Sequence, residues 1–246
     1  MLRKLVLAVS FSALAAFSGT VLAASFDVTD IEGRKVHFED QPKTFVVANY
    51  IANFMMVGGA PSLDKVVALT KDGWEDTRYG EYQVFTKSFP RMKDLPSIGG
   101  YHDDILNAEK ILSLQPDVLL IGRTQYAENS QRIKTFEKAG IKVVVLDYHA
   151  MTTANHTLST EILGKLLGRE KIAEAQNKAY KEALDHVYST IAKLPQDQIG
   201  TKVYMETASK GLARYGNSYN KDVLWGAILK NCLLYTSDAA DDLIGV

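Results

Sequence analysis

Residues 95–122 read LPSIGGYHDDILNAEKILSLQPDVLLIG, and this stretch decides the fold. A glycine pair leads into Tyr101 and His102, a helical pattern follows, and the apolar run 117–122 ends the stretch. The helix is predicted to end before Pro116, because proline disfavours a helical residue in front of it. An apolar run without polar alternation is typical of a strand buried on both faces, as in a parallel sheet covered by helices.

Apolar segments on either side of this stretch repeat the pattern. Strands that alternate with helices indicate an α/β fold with a parallel sheet. A cap at Asp104 or Asn107 is predicted for the helix inside the stretch, since both side chains can accept a bond from the first turn. The predicted buried strands are 44–49, 65–70, 117–122 and 141–147, and further helices are predicted at 50–59 and 126–140.

Two segments of the N-terminal half lie outside this alternation. Residues 26–40 alternate apolar and polar side chains around Glu32 and Gly33, which predicts a hairpin. Residues 71–95 are rich in aromatic and charged side chains, and we expect a long loop there. Loops of that size are commonly functional, and the aromatic residues argue against disorder.

The pattern becomes helical after Asp147. One helix is predicted to end at Gly168, and a second to cover 169–194 with an apolar face that includes Ile172, Ala179 and Val187. The second helix is roughly 38 Å long at the usual rise per residue, which is more than one small lobe requires. We therefore expect two Rossmann-like α/β lobes joined by this long bridging helix, with the second lobe truncated.

The N-terminus has the pattern of an export signal. MLRK supplies positive charge, and the apolar run 5–17 is too short to cross a bilayer. Val21 and Ala23 then stand at the small-residue positions of a cleavage site. No cysteine follows for a lipid anchor, so we expect a soluble periplasmic protein without membrane insertion after cleavage.

The C-terminal residues 232–246 resemble the translation of a sequencing adapter, and we expect a non-native tail there. Cys232, the only cysteine, lies in this tail, so no disulfide can form within the chain. The expected segments are a signal peptide (1–23), an N-terminal α/β lobe (24–150), a helical segment with the inter-lobe helix (151–198), the start of a C-terminal α/β lobe (199–231) and the tail (232–246).

Composition and motifs disfavour several classes of protein. The chain of 246 residues has 28 basic and 29 acidic side chains and no basic run, so nothing in its charge favours nucleic acid as a partner. The short motifs of nucleotide-binding proteins, serine hydrolases and zinc proteases are absent. An exported metal-dependent α/β enzyme remains an alternative of another class.

Four segments, in order, resemble periplasmic solute-binding proteins of the ABC importers that carry ferric siderophores, haem and cobalamin. They are DVTDIEGRKVHFEDQPKTFVVAN, PSIGGYHDDILNAEKILSLQPDVLLIG, FEKAGIKVVVLD and LGKLLGREKIAEA. The resemblance implies a monomer without an intrinsic cofactor, which captures a small molecule between two lobes and delivers it to a membrane permease. It also implies that Glu109, in the first turn of its helix, docks onto that permease.

Open parallel sheets bind ligands at the carboxyl ends of their strands, which locates the candidate site. Arginine, tyrosine and histidine side chains at those ends suit a large anionic or chelated ligand. The side chains predicted to line the cleft are Asn49, Tyr50, Trp74, Arg78, Tyr101, His102, Arg123, Tyr126, Tyr148 and His149, with Arg214 and Tyr215 facing them from the second lobe.

The favoured ligand is a ferric chelate of the siderophore type. Cobalamin, haem and a bare ion of zinc, manganese or nickel remain open as alternatives. A bare ion requires several inward-facing ligands of suitable softness and geometry, and only His102 and His149 are candidates for that role.

Overall fold

The computed structural model describes residues 25–150, 152–195, 202–203, 224–231 and 235–236. The predicted signal peptide lies outside these residues, as do most of the predicted second lobe, including Arg214 and Tyr215, and most of the predicted tail.

An antiparallel hairpin is formed by β1 (Phe26–Thr29) and β2 (Lys35–Phe38), as the alternating pattern predicts. Gly33 closes the turn at a φ of 74°, a backbone conformation that residues with a Cβ rarely adopt. The buried Asp30 holds the turn, because its carboxylate accepts hydrogen bonds from the backbone N–H groups of Glu32 and Arg34, each at 3.0 Å.

Four parallel strands form the central sheet in the order β4-β3-β5-β6. Every residue of β3 and β5 is buried, and apolar side chains cover both faces of the sheet in two separate core clusters. The prediction of an α/β fold with a buried parallel sheet is thereby confirmed. The strands are β3 (Phe45–Val47), β4 (Val66–Leu69), β5 (Val118–Gly122) and β6 (Lys142–Leu146).

The helices surround this sheet and continue beyond it. None of the helices in the described ranges has the length and apolar composition needed to cross a membrane. They are α1 (Ile51–Gly58), α2 (Asp72–Glu75), α3 (Tyr79–Ser88), α4 (Ala108–Leu114), α5 (Arg123–Glu128), α6 (Ser130–Lys138), α7 (Thr153–Leu167), α8 (Glu170–Ile191) and α9 (Leu224–Asn231). Two short strands, β7 (Lys202–Val203) and β8 (Tyr235–Thr236), pair in parallel.

The prediction of a long loop over 71–95 is wrong. The segment contains α2, α3 and a 3₁₀ turn at Pro90–Lys93. The ring of the buried Trp74 lies 4.9 Å from that of Phe85, so aromatic contacts pack the two helices together. Aromatic pairs contribute both apolar burial and preferred ring geometry, which compensates for the weak apolar periodicity of this segment.

The single helix predicted over 126–140 is in fact two, and the first begins earlier, at Arg123. Asn129 separates them: its side-chain amide donates to the carbonyl of Gln125 at 2.7 Å, and its Oδ1 accepts from the backbone N–H of Leu106 at 3.0 Å. Asparagine side chains compete in this way with the bonds of a continuous helix.

Helices α7 and α8 lie in the predicted positions, but α8 buries a different face. The predicted face with Ile172, Ala179 and Val187 is exposed, and Ala173 and Asn177 are buried instead. Small and polar residues allow the close approach of α7, where the Asn177 amide donates to the carbonyl of Thr157 at 2.9 Å. With 22 residues, α8 is roughly 33 Å long.

Candidate functional site

The sheet order places a crevice between the ends of β3 and β5. The chain leaves β3 for β4 on one side, whereas β5 lies on the other, so the connections diverge at this point. Ligands of open α/β sheets bind at such switch points, outside the carboxyl ends of the strands. A cleft of about 580 Å³ opens there. Seven residues predicted from the sequence line it: Asn49, Tyr50, Trp74, Arg78, Tyr101, Tyr148 and His149.

One wall of the cleft is aromatic. The ring of Tyr50 lies 5.1 Å from that of Tyr148 and 5.2 Å from that of His149, edge to face in both cases. Tyr50 has a φ of 63°, which is uncommon for a residue with a bulky side chain. Backbone strain of this kind is frequently found at functional sites, and here it occurs at the entry to α1.

The titrating groups of this wall are held neutral. Burial raises the pKa of Tyr148 to about 12, and burial together with the Asp147 carboxylate raises the pKa of Tyr50. Burial also lowers the pKa of His149, with a further contribution from Arg78. At neutral pH the wall is therefore uncharged, and the Tyr148 hydroxyl is itself hydrogen-bonded to Thr160 at 3.0 Å.

Asp147 fixes the backbone that carries Tyr148 and His149. It is buried at the end of β6, and its Oδ1 accepts from the backbone N–H groups of His149 at 2.9 Å and Ala150 at 3.0 Å. Its Oδ2 accepts from the side-chain amide of Asn155 at 2.9 Å. These bonds fix the backbone between β6 and α7, and with it the positions of Tyr148 and His149.

Another wall of the cleft is formed by α2, α3 and the loop that contains Gly99 and Gly100. Tyr101 lies directly on Gly73, where the Cβ of any other residue would overlap its ring. Its backbone N–H donates to Asp72 at 3.2 Å, and the guanidinium of Arg78 lies 5.9 Å above its ring. Because 37% of Tyr101 is exposed, its ring is available to a ligand in the cleft.

A family comparison agrees with this architecture. The family model described as periplasmic binding protein matches residues 62–242. The chain belongs to this family. Its members are binding proteins, which agrees with the expectation that the chain is not an enzyme.

Individual proteins are also similar to the chain. An uncharacterized ABC transporter substrate-binding lipoprotein, YvrC of Bacillus subtilis, is 25% identical over 70% of this chain and 49% of its own length. The TroA-like periplasmic binding protein FepB of Veillonella parvula is 26% identical, with a TM-score of 0.71 over 85% of this chain and 60% of its own. Staphylococcus aureus SirA, at 18% identity, shares the fold with a TM-score of 0.57 over 89% of this chain and 67% of its own. The chain thus spans about half the length of the curated relative it matches.

Three residues predicted for the periplasmic binding protein's cleft lie outside its lining. His102 has a side chain that is 54% exposed, with Nε2 3.1 Å from a carboxylate oxygen of Asp76. Arg123 donates from Nε to Glu32 at 2.7 Å, and Tyr126 lies under the guanidinium of Arg34, 4.6 Å from ring centroid to Cζ. Arg123 and Tyr126 both contact the turn of the hairpin, at Glu32 and Arg34.

The early start of α5 explains the positions of Arg123 and Tyr126. Sequence reasoning places the residues after a strand on the rim of the cleft, but a helix begins here without an intervening loop. Residues three apart share a helix face, so both side chains point to the hairpin. Thr124 and Gln125, which lie between them, line the cleft instead.

Sequence reasoning also missed several lining residues. Thr70 follows β4 and was available from the same strand-end rule that located Thr124 after β5. Glu81 lies three residues after Arg78, a spacing that has meaning only if α3 is recognised as a helix. Asp104 lines the cleft with a φ of 57°, which its sequence context did not indicate.

No ready-made metal centre is present in the described part of the chain. Within it, no group of three or more histidine, cysteine, aspartate or glutamate side chains is arranged to hold a metal ion. His102 and His149, the two candidates from the sequence, lie on different parts of the site: His149 lines the cleft and His102 does not.

The positions of Tyr101 and Arg123 predict different responses to alanine substitution. Tyr101→Ala is expected to weaken ligand binding by roughly tenfold, because a ring face is lost from the cleft wall. Arg123→Ala is expected to leave affinity within roughly twofold and to cost about 1 kcal/mol of stability, because it removes a largely exposed ion pair. Calorimetric titration and urea unfolding of both variants measure these effects. A loss of affinity in Arg123→Ala alone would contradict the assignment.

Proposed function

We propose that the protein is the periplasmic substrate-binding component of an ABC importer, which captures a ferric chelate in this cleft and delivers it to the membrane permease. The observation that carries the proposal is the cleft itself, about 580 Å³ at the switch point of the sheet, with one aromatic wall. Clefts of this size hold small organic molecules. Membership of the periplasmic binding protein family supports the same function.

The chemistry of the cleft favours a chelate over a bare ion. A bare transition-metal ion requires several converging protein ligands, and the described residues supply no such group. A chelate brings its own ligands and requires only hydrogen bonds and flat contact surfaces from the protein. The rings of Tyr50, Tyr148 and Tyr101 provide flat surfaces, and the polar side chains of Asn53 and Thr124 also line the cleft.

The relatives support the role in transport more directly than they support the identity of the ligand. YvrC is named as the substrate-binding lipoprotein of an ABC transporter, and FepB as a periplasmic binding protein. We extend the transport role to this chain, with a periplasmic location, a permease partner and a monomeric state.

Calorimetric titration of the full chain tests the ligand class. The panel consists of ferric hydroxamate and ferric catecholate chelates, haem, cobalamin, and the chlorides of zinc, manganese and nickel. We expect micromolar or tighter binding of at least one ferric chelate. Tight binding of a bare ion with no response to any chelate would overturn the iron-chelate proposal, and tight binding of haem or cobalamin alone would redirect it.

Glu109 is proposed to dock the protein onto the permease. It is exposed in the first turn of α4, where the cap Asn107 accepts a hydrogen bond from the backbone N–H of Lys110 at 3.0 Å. Glu109→Arg is expected to leave calorimetric affinity unchanged and to reduce uptake of radioactive iron by roughly tenfold or more, since a salt bridge would become a repulsion.

Glu174→Arg is the matched control for Glu109→Arg, because Glu174 is exposed on α8 and the substitution changes the charge equally. Uptake assays in cells that express each variant at equal levels make the comparison. Normal uptake with Glu109→Arg would refute the docking role.

A further inference from the structure

The described cleft wall is poor in positive charge. Arg78 is the only lysine or arginine among its described lining residues, and its Nη1 lies 3.7 Å from a carboxylate oxygen of Glu81. The guanidinium is thus already engaged by an acid that lines the same cleft. An anionic ligand would have to compete with Glu81 for it.

Asp104 adds a second carboxylate to the cleft. Asp104 has a left-handed backbone conformation and lines the cleft, and no hydrogen bond or ion pair reaches its carboxylate from the described residues. Burial and the nearby Glu128 raise the pKa of Asp104, and the nearby His149 acts in the opposite direction. Burial lowers the pKa of the His149 imidazole, which weakens its ability to offset the Asp104 charge.

Arg123, the arginine that was expected to attract an anion, pairs with other side chains of the protein. Arg123 donates to Glu32 on the hairpin at 2.7 Å and also lies 3.8 Å from Asp147. The described wall therefore presents two carboxylates against one guanidinium. Like charges repel, so a ligand with several negative charges is disfavoured at this wall.

We infer that the ligand is a neutral or cationic ferric chelate of the trihydroxamate type, which narrows the large anionic or chelated ligand expected from the sequence. This inference rests on the proposed function. Three hydroxamate groups neutralise the charge of a ferric ion, whereas three catecholates leave three negative charges in excess. A free ammonium group on a trihydroxamate would meet the Asp104 carboxylate, and the flat faces of Tyr101 and Tyr50 would contact the chelate.

Calorimetric titration with three defined chelates tests the inference: a neutral ferric trihydroxamate, a ferric trihydroxamate with a free ammonium group, and a ferric triscatecholate. We expect the full chain to bind both trihydroxamates at least roughly tenfold more tightly than the triscatecholate. Glu81→Gln and Asp104→Asn are each expected to increase the affinity for the triscatecholate roughly threefold to tenfold and to weaken binding of the ammonium-bearing chelate by a similar factor. These differences should shrink with added salt.

Asp64→Asn is the matched control. Asp64 is exposed at the other end of β4, so the substitution removes the same charge far from the cleft. This control is expected to leave unchanged the affinity for the triscatecholate and the affinity for the ammonium-bearing chelate. Tighter binding of the triscatecholate by the unaltered chain, or unchanged ratios in both cleft variants, would overturn the inference and leave the proposed function intact. Failure of all three chelates to bind would overturn the proposed function, and this inference with it.

Discussion

Asp30→Ala is expected to lower the free energy of unfolding by about 3–5 kcal/mol, the usual cost of removing one partner of a buried ion pair. The buried Asp30 carboxylate accepts five hydrogen bonds. Besides the two in the turn, Arg34 donates from Nε at 3.0 Å and Nη2 at 2.7 Å, and the backbone N–H of Val145 donates at 3.2 Å. The carboxylate therefore joins the hairpin to β6, and urea unfolding of the full chain measures its contribution.

Asp27→Ala provides the comparison, because Asp27 lies on the same hairpin but pairs with Lys35 and His37 in exposed ion pairs. Exposed pairs contribute little to stability, so this variant is expected to unfold almost as the unaltered protein does. Equal destabilisation by the two substitutions would show that Asp30 has no special role in attaching the hairpin.

Gln125→Glu is expected to reduce stability at neutral pH by about 3 kcal/mol, because it removes two buried hydrogen bonds and places a charge against two carbonyl oxygens. The Gln125 amide donates to the carbonyls of Ala48 at 3.1 Å and Gly100 at 2.9 Å, and its oxygen accepts from the backbone N–H of Gly122 at 3.3 Å. This side chain thus joins the ends of β3 and β5 to the glycine loop beneath the cleft. We also expect the affinity for a ferric chelate to fall roughly tenfold.

The loss of stability in Gln125→Glu should depend on pH. Burial among carbonyl oxygens raises the pKa of the introduced carboxyl group above its unfolded value of about 4.3. The protein should therefore regain much of its stability below that value and lose it as the pH rises through the higher folded-state pKa. Gln131→Glu, at an exposed position on α6, should show no such dependence in urea unfolding at several pH values. A pH-independent loss in Gln125→Glu would contradict this explanation.

The strands were predictable because a strand that is buried on both faces consists almost entirely of apolar residues. Residues 117–122 and 141–147 contain apolar runs without alternation, and in the structure β5 and all but the first residue of β6 are buried. The hairpin was predictable from its alternation and from Gly33. These patterns depend on local spacing alone, so a single sequence is sufficient to read them.

Elements stabilised by distant contacts were not predictable in the same way. Helices α2 and α3 depend on the packing of Trp74 with Phe85, and their short segments have weak periodicity. The buried face of α8 depends on how closely α7 approaches it, which favours Ala173 and Asn177 over larger apolar neighbours. Tertiary packing decided both outcomes over local preference.

By itself, the sequence determined the class of fold and the order of strands along the chain, and it predicted the edge of the sheet at which the cleft opens. Only the tertiary structure decided which side chains reach that edge and what charge they bring. A strand-end rule names positions, whereas the direction of each side chain depends on the next element, as with the helix that turns Arg123 to the hairpin. The charge of the cleft follows from those directions, because Arg78 is engaged by Glu81, and Asp104 has no described partner.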